Sequence, residues 1–494
     1  MGGGAVNWAG RRVGVAGLGV SGRAVVAALA PLGAELTLID DAAPGALAPG
    51  EVDLGRLELL VVSPGWPPHG PLLAGARAAG LPIWSEVELA WRLRANPDAP
   101  WLVVTGTNGK TTTVEMLGAM LTAGGARAAT AGNVGTPLVS AVLAPQTEVF
   151  AVELSSFQLH HTRSVRPLAA AVLNVAPDHL DWHGSFEAYA AAKARIFAGV
   201  RSAAIFPADD PAVAALAADA VSAGGGSAGG GSPGAGQPGG GPGTAVAADA
   251  AGSPRAVGFA LRAPRLGELG LIDGQLADRA FTDRRRRHAE TLASLDDLAH
   301  LAGPGGRLAP HLVADALAAA ALALAYGTPP DGIGPALRGF GLGPHRLAEV
   351  GRAGGVRFVD DSKATNAHAA AAALASFAPG GVVWIAGGLA KGARFESLVA
   401  ACGDRLKAAV LIGLDQSQLR AALAAGAPEV PVVAVAPGPD VMGRAVAAAA
   451  GLAAPGDTVL LAPASASMDQ FETYADRGRQ FAAAVAKLVS ADAG

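Results

Sequence analysis

Residues 101–113 read WLVVTGTNGKTTT: an apolar run, a loop with two glycines, then a helical pattern. An unbroken apolar run is what a strand buried on both faces looks like, and a strand that hands over to a helix within a few residues belongs to a parallel α/β sheet. The loop departs from a strict G-x-x-x-x-G-K-[ST] pattern, because Val104 stands where the early glycine would be. The parts that handle phosphate remain. Gly106 and Gly109 let the backbone wrap phosphate oxygens, Lys110 supplies a cation for the β and γ oxygens, and Thr111 offers a hydroxyl to Mg2+. With Thr107, Asn108 and Thr112 they form a candidate ATP site.

The same rhythm recurs on both sides. Upstream, RVGVAG (12–17) reads as a strand, a helix pattern runs from Ser21 to about Leu32, and ELTLID ends a second strand at Asp40. A further strand lies in LELLVVSPG (57–65), and Asn96-Pro97-Asp98 breaks the chain. Downstream of the loop, strands are expected at 147–154 and 169–175. From near Gly343, strands at 356–360, 381–387, 408–413 and 457–462 alternate with Ala-rich helices. The expected fold is therefore α/β with three domains: Rossmann-like at 1–99, P-loop-type ATPase at 100–342 and Rossmann-like at 343–494. A length of 494 residues accommodates three. Residues 222–243 are almost entirely Gly, Ser, Pro and Ala, so about 221–250 reads as a flexible insertion.

GLGVSG (17–22) is a full G-x-G-x-x-G between a strand and a helix, with Asp40 ending the next strand. By pattern it takes a diphosphate at a helix N-terminus. NAD and a uridine diphosphate fit equally well, and a tight turn without a ligand is the plain alternative.

Composition excludes other classes. The formal net charge is −4, which gives no electrostatic case for nucleic acid, and the short run Arg284 to Arg287 reads as solvated surface. A single cysteine, Cys402, rules out intrachain disulfides and thiolate metal clusters and fits a reducing cytoplasm. No signal peptide or bilayer-length apolar run is visible, so no membrane insertion is expected.

Further candidates stand at strand ends. Glu153 lies in VELSSFQL, His179 in NVAPDHLDWHG and Lys193 in YAAAKARIF. Together, after a phosphate loop, they suggest Mg2+ ligands, although magnesium prefers oxygen to imidazole. Singly, each reads equally well as an ordinary polar residue. DDSKATN (360–366), GGLAKGARF (387–395) and the polar loop of LLAPASASMDQF each follow a strand, and their lysines and hydroxyls suit an anionic substrate.

VTGTNGKTT, AGNVG, VELSSFQL, NVAPDHLDWHG, YAAAKARIF, GPHR, DDSKATN and PASASMDQF stand in the order seen in Mur ligases, and the last three resemble the D-glutamate-adding branch. The resemblance spans nearly the whole chain outside 221–250. It implies a cytoplasmic, monomeric, three-domain ligase that uses ATP to add D-glutamate to UDP-N-acetylmuramoyl-L-alanine. Leu18, Ser21, Asp40 and Ser63 would line the UDP group, and Asn133 and Gln158 would contact the sugar or diphosphate. Thr111 and Glu153 would bind one Mg2+ and His179 a second. Lys193 resembles the family's carbamylated lysine, whose added oxygens bind magnesium. Arg346, Asp361 and Lys363 match residues that handle ATP; Thr365, Lys391, Ser467 and the backbone at Tyr474 match those that hold D-glutamate. Lys110, Lys193, His179 and Arg346 are the implied catalytic set.

One string departs from the family. HLVADALAAA (311–320) carries Leu312 and Asp315 where asparagines are usual. An Asn amide both donates to and accepts from adenine, whereas an ionised Asp only accepts. Rival readings are a ligase of the same group that adds another amino acid or acts on folate, a nicotinamide-dependent oxidoreductase resting on GLGVSG alone, and a non-catalytic nucleotide-binding regulator.

Overall fold

The computed structural model describes residues 6–133, 135–224, 254–303, 306 and 308–492. Apart from its first four residues, the Gly-rich insertion lies outside them or adjoins them only at its edge. The chain is α/β throughout and forms two compact units. The first runs to Val175 and adds Trp182–Asp297 and Ala314–Phe340. The second comprises Ala176–Asp181, Leu298–Val313 and the chain from Gly341 onward. Among the described residues no helix is long and apolar enough to cross a membrane.

The first unit holds two sheets. One is fully parallel, in the order β2-β1-β3-β4: β1 (Arg12–Ala16), β2 (Glu35–Ile39), β3 (Leu59–Val62) and β4 (Ile83–Ser85). The chain leaves β1 to one side and returns to the other, so the crevice between the C-terminal ends of β1 and β3 is a topological switch point, where open α/β sheets take ligands. The glycine loop 17–22 and Ser63 both sit there.

The other sheet has nine strands. Its parallel part comprises β5 (Trp101–Thr105), β6 (Ala128–Gly132), β7 (Val149–Glu153), β8 (Ala169–Val172), β9 (Ala203–Pro207), β10 (Arg255–Phe259) and β11 (Glu268–Ile272). Antiparallel β12 (Gln275–Asp278) and β13 (Glu290–Ser294) extend one edge, giving the order β13-β12-β11-β10-β9-β8-β5-β7-β6. β5 is buried along its whole length, as its apolar run requires. Trp101 packs edge-on against Trp91 and Phe150 and anchors this core.

The second unit contains a six-stranded sheet, β14-β15-β19-β16-β17-β18, built from β14 (Ala348–Ala353), β15 (Val356–Asp360), β16 (Val382–Gly387), β17 (Leu406–Ile412), β18 (Val432–Ala434) and β19 (Thr458–Leu461). Only β14 is antiparallel to its neighbour. β19 lies between β15 and β16, so the loops DDSKATN, GGLAKGARF and PASAS leave the same edge side by side.

Candidate functional site

The glycine loop at 17–22 divides its labour as a diphosphate cradle should. Gly17 has φ +85, and a Cβ there would meet Trp66 and Ser63. A Cβ on Gly22 would lie 1.8 Å from the Gly17 carbonyl, so the helix Val20–Leu29 can press on the turn only because position 22 is bare. A Cβ on Gly19 would meet nothing within 4 Å, so that face of the loop is open to a ligand. Ser63 Oγ donates to the Gly17 carbonyl at 2.7 Å. Asp40 accepts from the Leu18 amide at 2.7 Å and from the amides of Ala42 and Ala43. The Leu18 amide, then that of Ala42, holds this carboxyl below its usual range. Asp40 thus fastens the loop. Ser21 lies in the first turn of the following helix.

The loop at 105–112 is tied to the neighbouring strand end. Asn174, just past β8, accepts from the Asn108 amide at 2.9 Å, donates to the Asn108 carbonyl at 3.2 Å, and its own carbonyl takes the Thr107 amide at 3.0 Å. Gly109 caps the helix Lys110–Ala123 at φ +83 and supplies no side-chain cap, so the first-turn amides keep their positive end for an anion. A Cβ at Gly109 would lie 2.3 Å from Asp315 Oδ1, which places Asp315 against the loop backbone itself. Leu312 is buried in the same helix, Pro310–Tyr326. Gly106, Thr107, Thr111 and Thr112 line the buried side of the loop.

Two lysines converge on one carbonyl. Lys110 Nζ donates to the oxygens of Gly106 and Thr107, both at 2.9 Å, and Lys193 Nζ donates to Gly106 at 2.7 Å. Lys193 is 2% exposed and lies 4.7 Å from the centre of the Tyr189 ring, while Tyr189 shares a 2.9 Å hydrogen bond with Thr107 Oγ1. Two like charges meeting on a neutral oxygen favour an anion nearby.

Glu153 ends β7, in register with Val104 of β5, and is 1% exposed. Its Oε1 accepts from Asn133 Nδ2 at 3.0 Å, and its Oε2 is buried with no hydrogen-bond partner among the described residues. A buried carboxylate oxygen left so needs an explanation, and a cation supplies one. Among the described residues no group of three or more His, Cys, Asp or Glu is assembled for a metal. Mg2+ takes one or two protein oxygens and completes its shell with phosphates and water. Gln158 is buried, and its Oε1 accepts from the Ser155 amide and hydroxyl in a capping box for the helix Ser156–His160.

His179 belongs to the second unit. It holds φ 53, its amide donates to Asp178 Oδ1 at 2.9 Å, and Asn366 of DDSKATN donates to Asp178 Oδ2 at 3.4 Å. Lys391 has φ 49. Left-handed backbone at two non-glycine residues costs on the order of 1–3 kcal/mol each and is kept where function or packing requires it.

In that unit Lys363 Nζ sits 5.4 Å from the Tyr474 ring, and Ser362 Oγ donates to the Tyr474 carbonyl at 2.8 Å. Asp361 accepts from the Leu347 amide. Burial pushes its carboxyl up to about 7; the Leu347 amide and Arg346 oppose the rise and Asp360 adds to it. The amide of Thr365 turns back to Lys363, and Ser467 is buried next to Ala466, which pairs with Leu389 in the loop that carries Lys391.

Arg477 is a residue that sequence reasoning passed over, although it lies within YADRGRQF. It is fully buried and donates to Ser362 Oγ at 2.9 Å, Ser362 O at 2.9 Å and Ser465 O at 3.1 Å. One guanidinium therefore locks the loops after β15 and β19 together. Burial lowers its pKa to about 10, against the pull of Asp469 and Asp360. Arg477→Ala strands three buried acceptors and opens a cavity, so a loss of about 3 kcal/mol or more is expected in denaturant unfolding. Arg477→Lys restores only part of it, because an ammonium lacks the planar fork.

A strand, a phosphate loop and a helix, with a buried carboxylate on the adjacent strand, make a nucleotide-using α/β enzyme. Residues 104–225 match the Mur ligase middle domain and residues 345–465 the glutamate ligase domain of Mur ligases. The chain is 47% identical to the UDP-N-acetylmuramoylalanine--D-glutamate ligase of Streptomyces avermitilis, over 98% of this chain and 99% of that protein. It is 50% identical to the ligase of the same name from Frankia casuarinae, over 97% and 95%. Its fold matches the crystal structure of UDP-N-acetylmuramate-alanine ligase from Thermotoga maritima with a TM-score of 0.57, at 14% identity and over 97% and 99% of the two chains. The chain belongs to the Mur ligase family.

Proposed function

We propose that this enzyme is an ATP-dependent ligase that joins D-glutamate to UDP-N-acetylmuramoyl-L-alanine in peptidoglycan precursor synthesis, in the cytoplasm and as a monomer. The observation that carries the reading is the convergence of Lys110 and Lys193 on the carbonyl of a phosphate loop, with the partnerless oxygen of Glu153 on the strand beside it. Identity near one half to D-glutamate ligases over almost the full length supports the choice of amino acid.

In this reading residues 1–99 bind the UDP group, 100–342 bind ATP and 343–494 receive the amino acid. Leu18, Ser21, Asp40, Ser63, Asn133 and Gln158 serve the UDP substrate, Gln158 through the helix it caps. Residues 106–112 with Arg346, Asp361 and Lys363 serve ATP. Thr365, Lys391, Ser467 and Tyr474 serve D-glutamate. Thr111 and Glu153 would hold one Mg2+ and His179 a second, and a carbamylated Lys193 would supply oxygens able to bind magnesium. Bound magnesium would neutralise phosphate oxygens and lower the barrier to their approach.

The chemistry is the activation of a carboxylate. The L-alanine carboxylate attacks the γ-phosphorus of ATP, and the bond to the β-phosphate oxygen breaks to release ADP. The D-glutamate amine then attacks the acyl phosphate carbonyl, loses a proton, and phosphate departs. Every reactant is anionic. Lys110 and Arg346 therefore work by neutralising charge and fixing orientation.

The test is phosphate release from ATP, Mg2+ and UDP-N-acetylmuramoyl-L-alanine with single amino acids added in turn. Release with D-glutamate alone is the expected result. Release with another amino acid selects a different Mur ligase, and no release with any of them removes the ligase reading.

A further inference from the structure

The chemistry above leaves one concentration of charge unused. A cavity of about 640 Å3 opens at the N-terminal end of β4, away from the glycine loop. Arg77, Arg92, Arg163, Arg195, His160 and His161 line it, all within the first unit. Such clustering in a chain of net charge −4 is local, not a general surplus.

The acidic residue in the lining, Glu88, is already committed. Its Oε1 takes Arg92 at 2.9 Å, and its Oε2 takes the amides of Arg163 and Ser164, both at 2.8 Å. Arg77, Arg163 and Arg195 pair with no carboxylate among the described residues. Arg77 donates to the Pro68 carbonyl and Arg195 to the His160 carbonyl, which fixes the direction of each guanidinium without cancelling its charge. His161 Nε2 is buried with no hydrogen-bond partner among the described residues. Burial, then His160 with Arg77, Arg195 and Arg163, pushes the His161 ring down to about 4. Arg77, Arg163 and Arg195 are exposed, so solvent screens their mutual repulsion, and an anion held among them would lower it further.

The volume lies in the range of small-molecule sites, about 300–1,000 Å3. Guanidinium forks match phosphate oxygens two at a time. A second cavity of about 360 Å3 shares Arg163 and Arg195 and is walled by Leu159, Val165 and Ile196, so a bound anion has apolar room beside its charged end.

We propose that this cavity is a second anion site, which takes a phosphate-bearing small molecule through Arg77, Arg163 and Arg195. The site is placed to bear on the phosphate loop. Arg195 follows Lys193 by two residues, and its bond to His160 joins the end of the Lys193 helix to the helix that Gln158 caps.

The test uses inorganic pyrophosphate as probe on the full chain, by isothermal titration. Lys110→Ala removes the cation of the phosphate loop, and binding is expected to persist in it. Adding Arg77→Ala and Arg163→Ala to that variant is expected to weaken the remaining binding by about tenfold or more. Loss of all binding in Lys110→Ala alone overturns the proposal, as does undiminished binding in the triple variant. A second readout leaves the lining intact: in Lys110→Ala, the His161 ring resonances shift as pyrophosphate saturates the protein. Resonances that stay still at saturation would place the ion elsewhere and overturn it.

Discussion

Glu153→Gln is expected to lower turnover by about a hundredfold or more while raising the melting temperature of the metal-free protein. The two effects have one cause. Oε2 is a buried carboxylate oxygen with no partner among the described residues, and Oε1 already serves Asn133. A neutral amide keeps an acceptor for Asn133 and is cheaper to bury than a charged group. A gain of about 1 kcal/mol would appear as a rise of roughly 2–4 °C in a domain of this size. The same change removes the negative charge that would hold the cation. Thermal scans with and without Mg2+ and ATP separate the parts: the natural protein gains stability from the ligands, and the variant gains much less. Unaltered turnover with an unaltered Mg2+ requirement would show that this oxygen holds no metal.

What could be read in advance follows the length over which a pattern persists. β5 and the helix Lys110–Ala123 stand where WLVVTGTNGKTTT put them, because a buried strand and its glycine loop are written in consecutive residues. β15 coincides with VRFVD at 356–360. The strand in LELLVVSPG runs Leu59–Val62 and stops where the Ser-Pro-Gly turn begins, and Ser63 there holds the loop of β1. The hairpin of β11 and β12 was passed over, yet its signal was present. Asp273-Gly274 takes φ 48 and 76, the left-handed pair a two-residue hairpin favours, between two short apolar runs.

The functional residues divide in the same way. Lys110, Gly106 and Gly109 are neighbours in sequence, so their chemistry was legible. Arg477 joins Ser362 to Ser465, more than 100 residues apart along the chain, and no local pattern announces such a link. The cationic cavity draws on four separate segments for the same reason. Asn174 opens NVAPDHLDWHG, but its role comes from the contact of two strand ends, which only the sheet order creates.

Lys193→Ala is expected to cost roughly 100- to 1000-fold in turnover, with part of the rate returned by formate or acetate. As an amine, Lys193 donates to Gly106 O at 2.7 Å from a position 2% exposed. Addition of its neutral nitrogen to carbon dioxide forms an N–C bond and releases one proton, and the nitrogen keeps a hydrogen. The bond to the loop carbonyl can therefore survive the modification, while two anionic oxygens are added at the tip. Truncation to alanine removes the loop contact, the oxygens and most of the side-chain volume together. A short carboxylate can enter the space left and supply the oxygens, so it restores the function without the covalent link. The converse result discriminates. If methylamine restores the rate and acetate does not, the ammonium is the working group and the carbamate is excluded. Lys193→Arg sharpens the comparison: it keeps a cation but cannot be carbamylated, so a variant that retains full turnover would exclude the carbamate as well.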